Sequence, residues 1–211
     1  MAEGAFITLE GVEGVGKSTC LGIIRETIES RGHTTVLTRE PGGTPLGERI
    51  REWILDGDHG VLSAQVEALL MFAARAEHIE KVIRPALEAG YWVVCDRFTD
   101  ATVAYQGGGR GADAAFLRCL AEEVQGTLEP DLTLLLDAPV AVGRARISAR
   151  KHDHFERETA DFFERVRAAY LRLAAEAPGR IRVIDATAAL GEVEGLVAAE
   201  IERFIEARHE H

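Results

Sequence analysis

The sequence predicts an α/β fold in three layers, with a five-stranded parallel sheet between two layers of helices. Five short apolar segments rich in β-branched residues recur along the chain, at 5–10, 34–39, 91–96, 131–137 and 180–185. Apolar side chains at consecutive positions are typical of strands that are covered on both faces. Amphipathic segments with helical spacing lie between and after them, at about 17–30, 46–56, 63–89, 112–125, 139–149, 158–176 and 189–207. Strands that alternate with helices in this way form a parallel, doubly wound sheet.

The composition limits the class of protein. A chain of 211 residues with 46% apolar content is predicted to form a single domain, residues 1–211. Its formal charge of -11 argues against nucleic acids or anionic membranes bound by bulk positive charge. No apolar run approaches the roughly 20 residues of a membrane span, and no signal-peptide pattern begins the chain. The three distant cysteines form no zinc or disulfide pattern. We therefore expect a cytoplasmic protein without nucleic-acid or membrane partners.

The segment EGVEGVGKST, residues 10–19, follows the first predicted strand and begins the first predicted helix, which should end at Gly32. It fits the phosphate-binding pattern G-x-x-x-x-G-K-[ST], in which backbone N–H groups and a helix N-terminus surround the phosphates. Lys17 is predicted to contact the β- and γ-phosphates, and Ser18 to bind Mg²⁺. The predicted ATP-binding residues of this loop are Gly11, Val12, Glu13, Gly14, Val15, Gly16, Lys17, Ser18 and Thr19.

Several classes of P-loop protein are excluded by the rest of the chain. The chain contains no Asn, so it lacks the Asn-Lys-x-Asp element with which GTPases bind guanine, and 211 residues are too few for an AAA+ protein or a helicase. What remains is a small phosphotransferase with a second, anionic substrate.

Charged residues at the ends of predicted strands indicate where the second substrate binds. Arg39 ends the second predicted strand, Arg97 follows the third, and Arg51 lies on the next helix after Arg39. Ligands of open α/β sheets bind beyond the carboxyl ends of the strands. Asp96 ends the third strand and Asp137 the fourth, and either carboxylate could bind Mg²⁺.

Taken together, these motifs resemble those of bacterial thymidylate kinases, in the same order and over nearly the whole chain. The matching segments are EGVEGVGKST (10–19), TREPGGTPLGERIR (38–51), LLMFAARAEH (69–78), CDRFTDATVAYQGGGRG (95–111), PDLTLLLD (130–137) and IDAT (184–187). The resemblance implies a P-loop kinase fold with a short mobile lid at about 148–158, usually as a homodimer. It also implies the Mg²⁺-dependent reaction of ATP with dTMP to give ADP and dTDP.

The resemblance also implies roles for individual residues. Arg97 would hold the dTMP phosphate with help from Arg39, while Asp96 would lie near the metal. Arg75 would contact the thymine carbonyl, and Tyr105 would crowd the 2′ position of the sugar. The implied dTMP-binding residues are Glu13, Arg39, Arg51, Phe72, Arg75, Arg97, Thr102, Tyr105 and Gln106. Either Thr102 or Gln106 would hydrogen-bond the base, and Glu13 would lie near the 3′-hydroxyl. Arg146 would flank the adenine of ATP, and the Glu40–Pro41 bond is expected to be cis.

Two positions depart from the family pattern. Members commonly place the thymine-stacking Phe four residues before the pocket Arg, where this chain has Met71, and we expect Phe72 to take its role. The lid sequence has His154 where an Arg is expected, and His is mostly neutral at pH 7. The transition-state cation would then come from Arg150, Arg157 or Lys151, and we favour Arg150 as the catalytic lid residue.

Two other readings remain open at the level of sequence. The chain could be another nucleoside monophosphate kinase, or a deoxynucleoside kinase of the same fold, since fold analogy alone does not separate these substrates. It could also be a nucleotide-binding module without catalysis if His154 reflects a lost lid function.

Overall fold

A computed structural model of the chain describes residues 4–56, 60, 62–147 and 158–209. Its centre is a parallel sheet of five strands in the order β2-β3-β1-β4-β5. The strands are β1 (Phe6–Glu10), β2 (Thr35–Arg39), β3 (Trp92–Asp96), β4 (Leu132–Asp137) and β5 (Ile181–Asp185). Each begins one residue later than the sequence predicts, and the predicted α/β class and five-stranded parallel sheet are confirmed.

Helices connect and cover the strands. They are α1 (Lys17–Ser30), α2 (Pro45–Asp56), α3 (Ala64–His78), α4 (Arg84–Glu88), α5 (Thr99–Thr102), α6 (Ala114–Gln125), α7 (Val140–Ile147), α8 (Ala160–Glu176) and α9 (Leu190–His209). Two π-helical segments, Ile79–Ile83 and Val103–Gly109, join α3 to α4 and extend α5. The helix predicted at 63–89 is therefore one continuous helical stretch with a π segment, whereas hydrophobic periodicity did not predict the helical stretch 99–109.

Strand β1 is buried along its whole length, and its side chains alternate between two helical layers. Ile7 and Leu9 belong to the larger apolar cluster, together with Ile24 of α1 and Val197 of α9. Phe6 belongs to a second cluster with residues of the π-helical segment and α4. The sheet therefore has apolar contacts on both faces, as the consecutive apolar residues of its strands predict.

Glu10, at the end of β1, is a fully buried carboxyl group. One of its oxygens accepts a hydrogen bond from the Phe98 N–H at 2.8 Å, and the other accepts from the Tyr170 hydroxyl at 2.7 Å. Burial, and next the nearby carboxylate of Asp100, raise the pKa of Glu10 from 4.5 to about 8, although both hydrogen bonds act in the opposite direction. The folded protein therefore binds this proton more tightly than the unfolded chain does.

None of the helices in the described part of the chain is long and apolar enough to cross a membrane.

The raised pKa of Glu10 predicts a pH-dependent stability difference between the wild type and Glu10→Gln. Between pH 4.5 and 8 the folded state keeps a proton that the unfolded state releases, so this group destabilises the wild type as pH rises. The neutral amide has no such dependence. We expect the free energy of unfolding of Glu10→Gln, relative to wild type, to increase by about 2–3 kcal/mol between pH 5.5 and pH 8, as measured by urea denaturation.

Glu26→Gln is the matched control, because Glu26 is exposed on α1. Its stability difference from wild type should change by less than about 0.5 kcal/mol over the same interval, as for most surface substitutions. An unchanged difference for Glu10→Gln between the two pH values would contradict the raised pKa.

Candidate active site

A cavity of about 680 Å³ lies where the carboxyl ends of β1 and β3 leave the sheet. The P-loop residues 13–19 form one wall, and residues of α2, α3, α5 and the following π-helical segment form another. Arg146 and residues at the start of α9 also line the cavity. The position agrees with the rule that open α/β sheets bind ligands beyond the carboxyl ends of their strands.

The backbone of the P-loop requires glycine at two points. Gly11 has φ 137°, and a Cβ atom there would lie 2.4 Å from the carbonyl oxygen of Leu136. Gly14 has φ 77°, and a Cβ atom there would lie 2.2 Å from the carbonyl oxygen of Gly143. A side chain at either position would therefore force the loop away from β4 or α7.

Lys17, the first residue of α1, lies against the inside of this loop. Its Nζ donates to the carbonyl oxygens of Gly11 at 2.9 Å and Val12 at 3.0 Å. Burial, and next the charge of Arg97, lower the pKa of Lys17 to about 8. A bound phosphate would favour the charged form of the amine, so phosphate binding and protonation of Lys17 support each other. Of the predicted ATP-binding residues in this loop, Glu13 to Thr19 line the cavity, whereas Gly11 and Val12 do not.

Glu13 connects the P-loop to Arg97 and Tyr105 on another part of the cavity wall. Its carboxylate accepts a hydrogen bond from Arg97 Nη2 at 2.9 Å. It also accepts from the hydroxyl of Tyr105, at 2.7 and 2.8 Å from its two oxygens. The Arg97 guanidinium carbon lies 4.6 Å from the centre of the Tyr105 ring. The Glu13 carboxylate thus orients Arg97 and Tyr105, which both line the cavity.

Arg75 of α3 lines the cavity, and only 2% of its surface is exposed to solvent. Its Nε donates to Glu40 at 2.7 Å and its Nη2 donates to Thr102 at 2.9 Å. Its Nη1 has no hydrogen-bond partner within the described part of the chain. Because a buried donor without a partner is costly, this atom is a strong candidate for contact with a ligand acceptor.

Glu40 is itself held by residues for which the sequence analysis proposed no role. Its second oxygen lies 2.9 Å from Nδ1 of His78, whose Nε2 lies 2.6 Å from the Thr38 hydroxyl. The Glu40–Pro41 bond is cis, as expected. Nothing in the spacing of His78 marks it as part of the site, because a histidine on a helix is more often an ordinary core or surface residue.

The structure corrects the expectation for Phe72. Met71 lines the cavity, whereas Phe72 is buried in a small apolar cluster with Ala68 and Leu117. The Phe72 ring lies 4.5 Å from the guanidinium carbon of Arg75, so it contacts the arginine and not the cavity. The physical reason is helix geometry: at 3.6 residues per turn, a residue four positions before Arg75 lies closer to its direction than one three positions before it.

The remaining residues of the predicted dTMP site divide into two groups. Arg51, Thr102 and Gln106 line the cavity, and Gln106 donates to the buried Glu67 at 3.2 Å. Arg39 does not line the cavity, because its side chain is half exposed and forms an ion pair with Glu48 at 2.8 Å. The expectation that Arg39 assists Arg97 therefore requires its side chain to exchange Glu48 for a substrate phosphate.

The two carboxylates considered as metal ligands have different environments. Asp137 forms a two-bond ion pair with Arg167 of α8, at 2.7 and 2.8 Å. Asp96 lines the cavity, and its buried Oδ1 has no hydrogen-bond partner within the described ranges. Ser18 lines the same cavity. The unpaired carboxylate oxygen and the hydroxyl are the oxygen donors that Mg²⁺ prefers, so Asp96 and Ser18 fit this metal and Asp137 does not.

Arg146 of α7 lines the cavity and donates to the carbonyl oxygen of Ala186 at 2.9 Å. The expected lid at 148–158, with Arg150 and His154, lies outside the described residues except for Glu158.

Comparison with known proteins gives a consistent result. A family model described as thymidylate kinase matches residues 9–197. The thymidylate kinase of Ectopseudomonas mendocina (strain ymp) is 54% identical over 205 residues, which cover 97% of this chain and 98% of that protein. The thymidylate kinase of Alkalilimnicola ehrlichii is 51% identical over the full length of both proteins. A crystal structure of thymidylate kinase from Ehrlichia chaffeensis superposes with a TM-score of 0.75 at 32% identity, covering 97% of this chain and 99% of that one. The chain belongs to the thymidylate kinase family.

Proposed function

We propose that this protein transfers the γ-phosphoryl group of ATP to dTMP, giving ADP and dTDP for dTTP synthesis. The observation that carries the proposal is that one cavity contains both the P-loop and Arg75, a buried arginine with an unpaired Nη1. The P-loop suits a nucleoside triphosphate, and the arginine suits a carbonyl oxygen of a base. Family membership supports the same pair of substrates.

At the phosphate end, the chain supplies positioning and positive charge. Lys17 and the P-loop N–H groups would hold the β- and γ-phosphates of ATP, while Arg97 would hold the dTMP phosphate from the opposite side. A guanidinium offers two parallel N–H donors to a phosphate, which fixes its orientation as well as its position. The acceptor oxygen is already anionic, so no general base is needed.

At the nucleoside end, a few polar groups would set specificity. Arg75 Nη1 would donate to a thymine carbonyl, with Thr102 or Gln106 as a second base contact. Tyr105 would stand against the 2′ position, where it is fixed by its hydrogen bonds to Glu13. Met71 would pack against the base in place of an aromatic ring, because Met71 lines the cavity and Phe72 does not.

We further propose that the enzyme uses Mg²⁺ held by Ser18 and Asp96. When bound, the ion neutralises charge on the transferred phosphoryl group. The unpaired Oδ1 of Asp96 supports this assignment. Within the described ranges, no cluster of three or more His, Cys, Asp or Glu side chains could hold a metal by itself. A site of this kind therefore depends on the ATP phosphates for its other ligands.

Our proposal includes a homodimer in the cytoplasm. Two helices that pack together carry exposed apolar side chains, Leu46 and Trp53 on α2 with Val66 and Leu69 on α3. Such a surface is typical of an interface between chains. The three cysteines are all free thiols, which is typical of a reducing compartment.

The acceptor preference tests the proposed reaction. In an ADP-release assay with ATP and Mg²⁺, we expect dTMP to give a kcat/KM at least about tenfold above dUMP, which lacks one methyl group, and a larger excess over AMP and CMP. Thymidine should be inactive because it offers no phosphate to Arg97. Removing Mg²⁺ with EDTA should abolish turnover.

Arg75→Lys is the matched variant for this panel, because it keeps the charge and removes the planar fork. We expect its kcat/KM for dTMP to fall about tenfold or more while its KM for ATP stays unchanged. Faster turnover of another acceptor than of dTMP would overturn the assignment. Absence of any dTMP-dependent ADP release would instead favour a nucleotide-binding module.

Arg150 tests the source of the lid cation. If Arg150 neutralises charge in the transition state, Arg150→Ala should lower kcat at least about tenfold, equivalent to about 1.4 kcal/mol. Lys151→Ala, which removes a neighbouring charge, should lower kcat by less than about threefold, because a flexible ammonium does not replace the guanidinium fork. Adding His154→Arg to Arg150→Ala should restore part of the loss. A loss of kcat below about tenfold for Arg150→Ala would show that another residue has this role.

A further inference from the structure

Arg97 has an unusual backbone conformation for an arginine. Its φ of 69° is the only positive φ outside glycine among the residues that the structure describes. Side chains with a Cβ atom adopt this left-handed region at a cost on the order of 1–3 kcal/mol, so the surrounding structure must hold the residue there. The turn redirects the chain at the end of β3 and brings the guanidinium to Glu13.

Three hydrogen bonds hold this turn. The Arg97 N–H donates to the carbonyl oxygen of Leu9 at 3.0 Å, and the thiol of Cys95 donates to the Arg97 carbonyl oxygen at 3.0 Å. The third bond runs from the next N–H, that of Phe98, to Oε1 of Glu10 at 2.8 Å. Among these bonds, the last is the only one in which a side chain provides the acceptor.

Glu10 is separated from the cavity by the residues that it supports. It is fully buried and does not line the cavity wall. Its second oxygen is held by the hydroxyl of Tyr170 from α8. Phe98, whose N–H it accepts, is buried to 1% exposure, and its ring packs edge-on against Phe6 at 4.9 Å. Without an acceptor at position 10, the Phe98 N–H would be a buried donor with no partner.

We propose that Glu10 is a positioning residue for the acceptor phosphate: by accepting the Phe98 N–H it fixes the left-handed turn that aims Arg97. This inference rests on the proposed function, in which Arg97 holds the dTMP phosphate. Loss of the acceptor favours relaxation of Arg97 toward negative φ, which moves the guanidinium away from Glu13 and from the substrate.

The property that matters is a hydrogen-bond acceptor and not a negative charge. Burial and the nearby Asp100 carboxylate raise the pKa of Glu10 to about 8, so its carboxyl group is largely protonated at pH 7. An amide presents the same carbonyl oxygen to the Phe98 N–H. Glu10→Gln should therefore keep the turn, whereas Glu10→Met, of similar volume, should lose it.

Steady-state kinetics of these two variants test the inference at pH 7.0. For Glu10→Met we expect kcat/KM for dTMP to fall at least about tenfold, while KM for ATP stays within about threefold of wild type; a tenfold change corresponds to about 1.4 kcal/mol. Glu10→Gln should stay within threefold for both substrates. Binding of dTMP and of an ATP analogue, measured separately by calorimetry, should show the same division.

Two control variants separate positioning from general destabilisation. Tyr170→Phe removes the other hydrogen bond to Glu10 and should leave dTMP kinetics within threefold. Val197→Ala creates a cavity in the core at α9, where Val197 is fully buried and far from the turn in the chain, and should not affect dTMP selectively. Unfolding curves for all variants establish the temperature at which each is folded.

A second change tests the bond if Glu10→Met does not fold. Replacing Phe98 by phenyllactic acid converts its peptide bond to an ester, which removes the N–H donor and keeps Glu10. The same selective loss for dTMP is expected. Unchanged dTMP kinetics in the folded Met variant or in the ester would overturn the inference, as would equal losses for ATP and dTMP. Failure of the proposed function is distinguishable, because the wild type itself would then show no dTMP-dependent turnover.

Discussion

The parallel pairing of β1 with β3 is the constraint on which the rest of the site depends. The register places Leu9 opposite Asp96, so the two strands end side by side. The P-loop leaves one strand and the Arg97 turn leaves the other, and Arg97 N–H is bonded to the Leu9 carbonyl oxygen. A slip of one residue would exchange the faces of a strand that is buried on both sides, and it would separate Glu13 from Arg97.

With these strands aligned, the positive charges of the site are offset by nearby carboxylates. Lys17 and Arg97 repel each other, and the Arg97 charge helps to lower the pKa of Lys17, whereas Asp96 and Glu13 act in the opposite direction. Glu13 also accepts hydrogen bonds from Arg97 and Tyr105. The carboxylates therefore allow two cations to lie in one cavity before any phosphate binds, and they hold the side chains in place for it.

Particular elements show why some predictions succeeded and others did not. The five strands were predicted from short runs of consecutive apolar residues, because a strand that is buried on both faces needs apolar side chains at successive positions. The helical stretch 99–109 was not predicted from hydrophobic periodicity, because its glycines at 107–109 interrupt any apolar stripe. Packing accounts for one of these glycines, since a Cβ atom at Gly109 would lie 2.5 Å from the Phe162 ring. Phe72 was assigned to the base by residue type, whereas the rotation of the helix places Met71 on the wall.

The sequence by itself determined the fold class, the P-loop with Lys17 and Ser18, and the family, because each rests on residue patterns that can be recognised along the chain without knowing which segments meet in space. Only the tertiary structure decided which groups are partnered. Asp96 ends β3 and Asp137 ends β4, the two strands on either side of β1. Asp137 is paired with Arg167, whereas Asp96 keeps a buried oxygen without a hydrogen-bond partner among the described residues. The same holds for Glu10, Phe98 and Tyr170, which are distant in the chain and meet in one hydrogen-bonded group. Such pairings depend on the packing of separate strands and helices, which residue spacing along the chain does not encode.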